Sequence, residues 1–318
     1  MAAFTSVEAF APASMGNVGV GFDILGLAFC EPGDIVRVAH TPGGGVRIAA
    51  IEGDGGLLPC EPEKNTASVA VRAFLEMAGI RDGVTLTVRK GLPLGSGLGS
   101  SAASAVAAVV AANALFGEPM PREALLPACL EGEAIVSGYH ADNVGPSLLG
   151  GITLITGATA DTILRLPVPD DLHLALVTPR MAVSTAAARE VLPATISLKS
   201  MVRQTGAVAR LVDALYRGDV PALAAAMEAD GVVEPARAHL MPLLDDARSA
   251  AKGAGALALV ISGAGPTLCA VCDNAATVQQ TVDVLQNLYD AAGIGAAGRA
   301  TRVDTNGARI TATTPAQS

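Results

Sequence analysis

The chain has 318 residues, room for one large or two medium domains. It is 51% hydrophobic but only 3% aromatic and has no Trp, so Ala, Val and Leu must build a core of small, closely packed side chains. A formal charge of −9 with no basic run excludes a general nucleic-acid binder, although a small phosphorylated ligand needs only a local field.

In chain order, Ser6 to Ala11, Asp34 to Ala39, Val46 to Ile51 and Val84 to Arg89 read as strands, from β-branched content and flanking turns. The first runs into Ala11-Pro-Ala-Ser-Met-Gly-Asn-Val-Gly-Val-Gly-Phe-Asp23, which sets Asn17 and Asp23 around a Gly-rich turn. Two readings fit that turn: local capping of amides by Asn and Asp, or a pocket wall that fixes a small polar substrate. Thr66 to Ala78 is a helix, with Val69, Ala73 and Met77 at helical spacing.

The most telling segment is Pro93-Leu-Gly-Ser-Gly-Leu-Gly-Ser-Ser-Ala102, which leads into an alanine-rich helix from Ser100 to Leu115. Glycines let a backbone curl close to an anion. The first amides of a helix are unpaired and carry the positive end of its dipole. Ser100 and Ser101 add hydroxyls suited to phosphate or to a phosphate-bound magnesium. The loop is not a Walker loop, because Gly99 is followed by Ser-Ser and not by Lys-Ser/Thr. Nor is it a dinucleotide fingerprint, because Gly95, Gly97 and Gly99 are spaced two apart.

A helix follows from Arg122 to Val136, and a boundary falls near Thr156 to Asp171, where turn residues and Pro167 and Pro169 break the pattern. Beyond it, Leu172 to Thr178 is a strand, and Ser200 to Tyr216 and Val220 to Ala229 are helices. Ala256 to Ser262 and Thr267 to Val271 are strands around a Gly-Ala-Gly-Pro turn. Ala275 to Ala292 is a long helix, Arg299 to Val303 a strand, and the tail from Thr311 is expected to fray. Mixed strands and helices in both halves imply an α+β chain of two domains meeting at a cleft, residues 1–160 and 161–318.

No apolar stretch reaches the roughly 18 residues of a spanning helix, and no basic segment precedes an apolar one at the start, so neither membrane insertion nor a secretory signal is expected. The five cysteines show no disulfide framework, which points to a reducing cytoplasm. The lone Cys269-Ala-Val-Cys272 lacks a second ligand pair and reads as buried, small apolar residues.

Three segments in order, P-A-S-x-x-N-V-G-x-G-F-D, then P-x-G-S-G-L-G-S-S-A, then Ser262-Gly-Ala-Gly-Pro-Thr267, resemble the three motifs of the GHMP kinases. The first motif is similar to that of homoserine kinases in particular. So are Tyr139-His-Ala-Asp-Asn-Val144, Ser184-Thr-Ala-Ala-Ala-Arg-Glu-Val-Leu-Pro193 and Glu234-Pro-Ala-Arg237. Two departures stand out: the turn Ser137 to His140 is one residue shorter than is usual, and Val233 stands where the family often has His.

The resemblance implies an N-terminal domain like the second domain of ribosomal protein S5, a ferredoxin-like C-terminal domain and a homodimer. It implies ATP-dependent, Mg²⁺-assisted phosphorylation of the side-chain hydroxyl of L-homoserine, a step of threonine biosynthesis. ATP would meet Pro93, Leu94, Gly95, Ser96, Gly97, Leu98, Gly99, Ser100, Ser101 and Ala102. Asn65 resembles an adenine-contacting position but equally an N-terminal helix cap. Lys90 approaches the nucleotide or is simply solvated. Ser101 and Glu133 would hold the metal; should the alignment slip, Glu131 takes that place.

Homoserine is a zwitterion, whose carboxylate suits arginine and whose ammonium suits a carboxylate. Arg189 and Arg237 are assigned to the first and Asp23 to the second. Asn17, Asn143 and Thr185 complete the substrate pocket, with His140 either a switchable base or an ordinary loop histidine. Asn143, Arg189 and Glu133 form the catalytic set. Mevalonate kinases use an aspartate where this chain has Asn143, which cannot usefully take a proton, so catalysis without a dedicated base is expected.

Overall fold

The computed structural model describes residues 4–157 and 159–315. The first part of the chain forms β1 (Phe4–Gly16), β2 (Leu25–Thr41), β3 (Val46–Glu52), α1 (Thr66–Met77) and β4 (Gly83–Arg89). It continues with α2 (Ser100–Leu115), α3 (Leu126–Ala134), α4 (Ala141–Leu149), β5 (Ile152–Ile155) and β6 (Ile163–Leu166). Next come β7 (His173–Pro179), α5 (Thr185–Glu190), α6 (Leu198–Arg217), α7 (Val220–Met227), α8 (Val233–Arg237) and α9 (Leu244–Gly253). The chain ends with β8 (Ala258–Ile261), β9 (Leu268–Cys272), α10 (Ala275–Ala291), β10 (Ala296–Thr301) and β11 (Arg309–Pro315).

Two sheets organise these elements. The larger has the order β11-β1-β2-β4-β3, with the β5–β6 hairpin attached to the start of β2, and only β3 and β4 run parallel. The smaller is the antiparallel sheet β10-β7-β9-β8. Strand β7, its following helices, β8, β9, α10 and β10 reproduce the β-α-β-β-α-β order of a ferredoxin-like domain.

Helix α2 is the centre of the first core: every residue from Ala102 to Leu115 is buried. Its composition explains the placement. Eight alanines among them give no amphipathic face but let neighbouring elements approach closely. Cys129, Cys269 and Cys272 are buried free thiols, and Cys30 and Cys60 are exposed ones.

Several expectations are corrected. The tail from Thr311 does not fray through residue 315; it lies in β11, paired antiparallel to β1 from Phe4↔Pro315 to Phe10↔Arg309. Every residue of β11 is exposed, so ladder hydrogen bonds rather than apolar burial hold it, and no hydrophobic pattern marks it. Residues 316–318 lie outside the described residues. Strand β1 continues past Ala11 to Gly16, with its register shifting between Pro12 and Ser14. Proline is tolerated at such an irregularity. The β5–β6 hairpin occupies the expected boundary, and both β6 and β11 join the first sheet, so a cut between 160 and 161 does not follow the sheets.

Candidate active site

A cavity of about 450 Å³ opens where the loop before α2 faces α3, α4, α5 and the turn after β8. Its floor is the Gly-rich loop. Gly95, Gly97 and Gly99 have φ of +63°, +78° and +64°, a left-handed conformation at alternate positions that explains the G-x-G-x-G spacing. The loop is clamped from both domains. Ser14 N donates to Leu98 O at 3.0 Å, Thr267 N to Ser96 O at 3.1 Å, and Ser262 Oγ to Gly97 O at 2.8 Å. Leu94, Gly95, Ser96, Gly97, Gly99, Ser100 and Ser101 line the cavity, and the buried Ser100 Oγ has no hydrogen-bond partner among the described residues.

Pro93, Leu98 and Ala102 do not line it. Pro93 is exposed and its carbonyl accepts from Ser96 Oγ at 2.7 Å, while Leu98 and Ala102 face the core. They shape the loop rather than meet a ligand.

Lys90 is neither solvated nor free. Its buried ammonium pairs with the buried Asp34 and donates to Ser100 O at 2.9 Å and Ser104 Oγ at 2.8 Å. Asp34 also accepts from Gly91 N at 3.0 Å, Leu92 N at 3.3 Å and Ser104 Oγ at 2.7 Å. Burial pulls the Lys90 pKa down and Asp34 opposes it. The pair therefore ties the entrance of the loop to the first turn of α2. Asp34→Ala leaves a buried, unpaired ammonium, and the expected loss of stability is about 3–5 kcal/mol in urea unfolding.

Asn65 caps α1: Oδ1 accepts from Ala67 N and Nδ2 donates to Pro59 O, each at 3.1 Å. It also lines the cavity, beside the apolar Leu58, Pro59, Val88 and Val136.

Glu133 projects from α3 into the cavity. Its Oε1 accepts from Ser101 Oγ at 3.0 Å and from Ser137 Oγ, while the buried Oε2 has no partner among the described residues. Burial raises its pKa; the Ser137 and Ser101 hydroxyls and then Lys90 pull it back. Glu131 is exposed and accepts from the Tyr139 hydroxyl at 2.9 Å, so it stands apart from the cavity.

Helix α4, whose nine residues the sequence reading missed because Gly145 and Pro146 interrupt it, carries Asp142 and Asn143 into the cavity. Its first turn sits on a glycine notch. Gly16 and Gly26 pair across β1 and β2, and a Cβ on Gly26 would come within 1.8 Å of the Asp142 carbonyl oxygen. Ser14 Oγ bonds Asn143 Oδ1 at 3.0 Å, which turns the amide nitrogen of Asn143 away from Ser14. The Asp142 carboxyl is buried and raised to about 7, by desolvation first and then by the charges of Asp23 and Glu133.

Asp23 differs most from expectation. Both its oxygens accept from Arg189, Oδ1 from Nη2 at 2.7 Å and Oδ2 from Nη1 at 3.1 Å, and His140 Nδ1 lies 3.5 Å from Oδ2. Asp23 itself is not among the lining residues, whereas Arg189 and His140 are. Burial lowers the His140 pKa, against the pull of Asp23.

Asn17 lines the cavity, but its amide is committed: Nδ2 donates to Gly263 O at 3.2 Å and Oδ1 accepts from Asp23 N at 3.1 Å. Thr185 lines the cavity from the start of α5. Arg237 is buried, with Nε on Ala188 O at 2.8 Å and Nη1 on Gly263 O at 2.9 Å. Both guanidinium groups lie near the Phe22 ring, at 5.3 Å for Arg189 and 5.5 Å for Arg237. Val233 is buried, and its neighbour Glu234 pairs with Arg248 at 2.6 Å. Of the residues to which sequence reasoning gave no role, Ser14, Phe22 and Asp142 lie inside motifs it quoted and Ser137 opens the shortened turn before His140; Asp34 carries no distinctive local signal.

A clamped anion loop at one end and charged side chains at the other, between two α+β domains, define a small-molecule phosphotransferase. Residues 65–151 match the family description "GHMP kinases N terminal domain" and residues 211–291 match "GHMP kinases C terminal". The homoserine kinase of Chloroherpeton thalassium is 42% identical over 294 residues, 89% of this chain and 92% of that protein. That of Arabidopsis thaliana is 44% identical over 277 residues, 85% of this chain and 75% of the relative. The crystal structure of homoserine kinase from Cytophaga hutchinsonii superposes with a TM-score of 0.92 at 41% identity, covering 96% of this chain and 98% of that one. The chain belongs to the homoserine kinases of the GHMP kinase family.

Proposed function

We propose that the chain transfers the γ-phosphoryl group of ATP to the side-chain hydroxyl of L-homoserine, giving O-phospho-L-homoserine and ADP. The observation that carries the reading is the single cavity in which a clamped anion loop and a carboxylate–arginine end face each other. The free amides of the loop and of the first turn of α2, with Ser100 and Ser101, bind the ATP phosphates. Leu58, Pro59, Val88 and Val136 give the base an apolar wall.

Mg²⁺ fits Glu133 and Ser101: a buried carboxylate oxygen without a partner beside a hydroxyl is a suitable pair of hard oxygen donors, the few that magnesium takes from protein when phosphates and water supply the rest. When bound it neutralises charge on the phosphates.

Transfer depends on positioning. The acceptor oxygen bonds to the γ-phosphorus as the bond to the bridging oxygen of ADP breaks, and the hydroxyl proton passes to a phosphoryl oxygen. Asn143 takes no proton; its Nδ2 holds the acceptor oxygen in line. Ser14 aims that amide. Ser14→Ala is expected to lower kcat about tenfold with little change in KM for ATP, read by steady-state kinetics. Asn143→Ala is expected to lower kcat without removing an ionisation from the pH–rate profile.

The test of the reading is ADP release with MgATP and L-homoserine, D-homoserine, mevalonate or no acceptor. Turnover confined to L-homoserine supports it; turnover with mevalonate, or none with any acceptor while ATP binds, defeats the substrate assignment.

A further inference from the structure

A separate cavity of about 660 Å³ lies where the crossover from β10 to β11 passes the middle of β2. It shares no lining residue with the active-site cavity. Both domains wall it: Cys30 and Glu31 of β2 on one side, His173 of β7 and the start of α10 on the other, with the crossover between them. The chain carries a formal charge of −9, yet arginines gather around this cavity and the turn 304–307 at its edge. Arg299 pairs with Glu31 at 3.0 Å and Arg309 with Asp304 at 2.9 Å. Asp304 is satisfied within the turn, where Asn306 N and Gly307 N also donate to its Oδ1 at 2.8 and 2.9 Å. Arg302, Arg165 and Arg122 are not matched in this way. They donate to carbonyls, Arg302 to Asp170 O, Arg165 to Thr305 O at 2.8 Å and Arg122 to Asn306 O at 3.0 Å. None of the three has a carboxylate in ion-pair range among the described residues. The His173 ring, on the cavity wall, is half-buried and has no hydrogen-bond partner among the described residues.

A carbonyl holds each unmatched guanidinium in place but leaves its charge uncompensated and most of its N–H donors unused. Like charges gathered at one turn repel, and an anion beside them removes the repulsion. A guanidinium fork fits the oxygens of a phosphoryl group, and several cations together suit a dianion better than a lone carboxylate. Ala275 and Val278 of α10 add an apolar strip for a short carbon skeleton. We infer that this cavity binds a small phosphorylated metabolite, its phosphoryl group on Arg302 and His173, with Arg165 and Arg122 adding positive field from behind the turn. Such a ligand touches β2 of the first sheet and β7 and α10 of the second domain. It braces the joint between them, and binding to the folded state alone raises stability.

Cys30 is an exposed thiol on the cavity wall, and Cys60 is an exposed thiol that does not line it. Burial and then Asp304 raise the Cys30 pKa, while Arg302 and Arg309 lower it. An anion on Arg302 therefore both covers the thiol and disfavours its reactive thiolate. Alkylation by iodoacetamide, resolved by site with mass spectrometry, reads the cavity directly. The active site is first filled with Mg²⁺ and a non-hydrolysable ATP analogue, so that its loop takes up no added phosphate. Inorganic phosphate and glycerol 3-phosphate are the probes, each set against NaCl at matched ionic strength. At saturation glycerol 3-phosphate should slow Cys30 alkylation about tenfold and Cys60 alkylation less than about twofold. It should do so at a lower concentration than inorganic phosphate, because its carbon skeleton meets α10. Arg302→Ala is expected to raise the concentration needed about tenfold, and His173→Ala, a second variant, several-fold. The melting temperature should rise with glycerol 3-phosphate in the wild type and much less in Arg302→Ala. Protection by inorganic phosphate alone would overturn the assignment to an organic ligand. Cys30 labelled as fast with either probe as with NaCl, or protection unchanged in both variants, would overturn the site itself.

Discussion

Glu133→Gln is expected to lower kcat about a thousandfold while the protein stays folded. Glutamine has the same shape, and its amide oxygen can keep the bonds that Oε1 accepts from Ser101 and Ser137. What changes is the second atom. The unpartnered Oε2 becomes an NH₂ group, which cannot bind a cation and directs positive charge at the place where one belongs. Removing a buried charge that lacks an ionic partner relieves desolvation, so the melting temperature should not fall. Kinetics over a range of Mg²⁺ concentrations check both points: half-maximal activity should need far more Mg²⁺. A variant with unchanged kcat and unchanged Mg²⁺ dependence would remove Glu133 from the metal site.

Arg237→Ala should cost both substrate binding and stability. The guanidinium is buried, donates to Ala188 O and Gly263 O, and so joins α5 to the turn after β8. Its loss strands two carbonyls and leaves a cavity, at about 2–4 kcal/mol in denaturant unfolding. For turnover, kcat/KM for L-homoserine is expected to fall on the order of a thousandfold, while KM for ATP moves less than about tenfold. Arg237→Lys should recover little, because a single ammonium cannot bond two carbonyls and a carboxylate in one plane. Equal losses for ATP and homoserine would make Arg237 a support of the fold alone.

The parts of the molecule that were legible in sequence are those whose causes are local. The left-handed glycines at 95, 97 and 99 announce a loop that no other residue type would form cheaply, and the alanine run after them announces a buried helix. Ordered motifs then carried the resemblance that implied both domains. The rest lies in pairings across the chain. Asp34 meets Lys90 56 residues away and Ser104 70 away, Ser14 meets Asn143 at a separation of 129, and Asp23 meets Arg189 at 166. Motif spacing put Asp23 at the site but could not tell a wall from the support behind it. Strand β11 was invisible because backbone hydrogen bonds hold it in the ladder with no buried face.

The most direct measurement is ³¹P NMR of a reaction holding the protein, MgATP and L-homoserine. The γ-phosphate signal should disappear as one phosphomonoester signal, that of O-phospho-L-homoserine, grows in step with ADP. Growth of inorganic phosphate in its place, or a γ-phosphate signal that stays constant while ATP remains bound, would contradict the account.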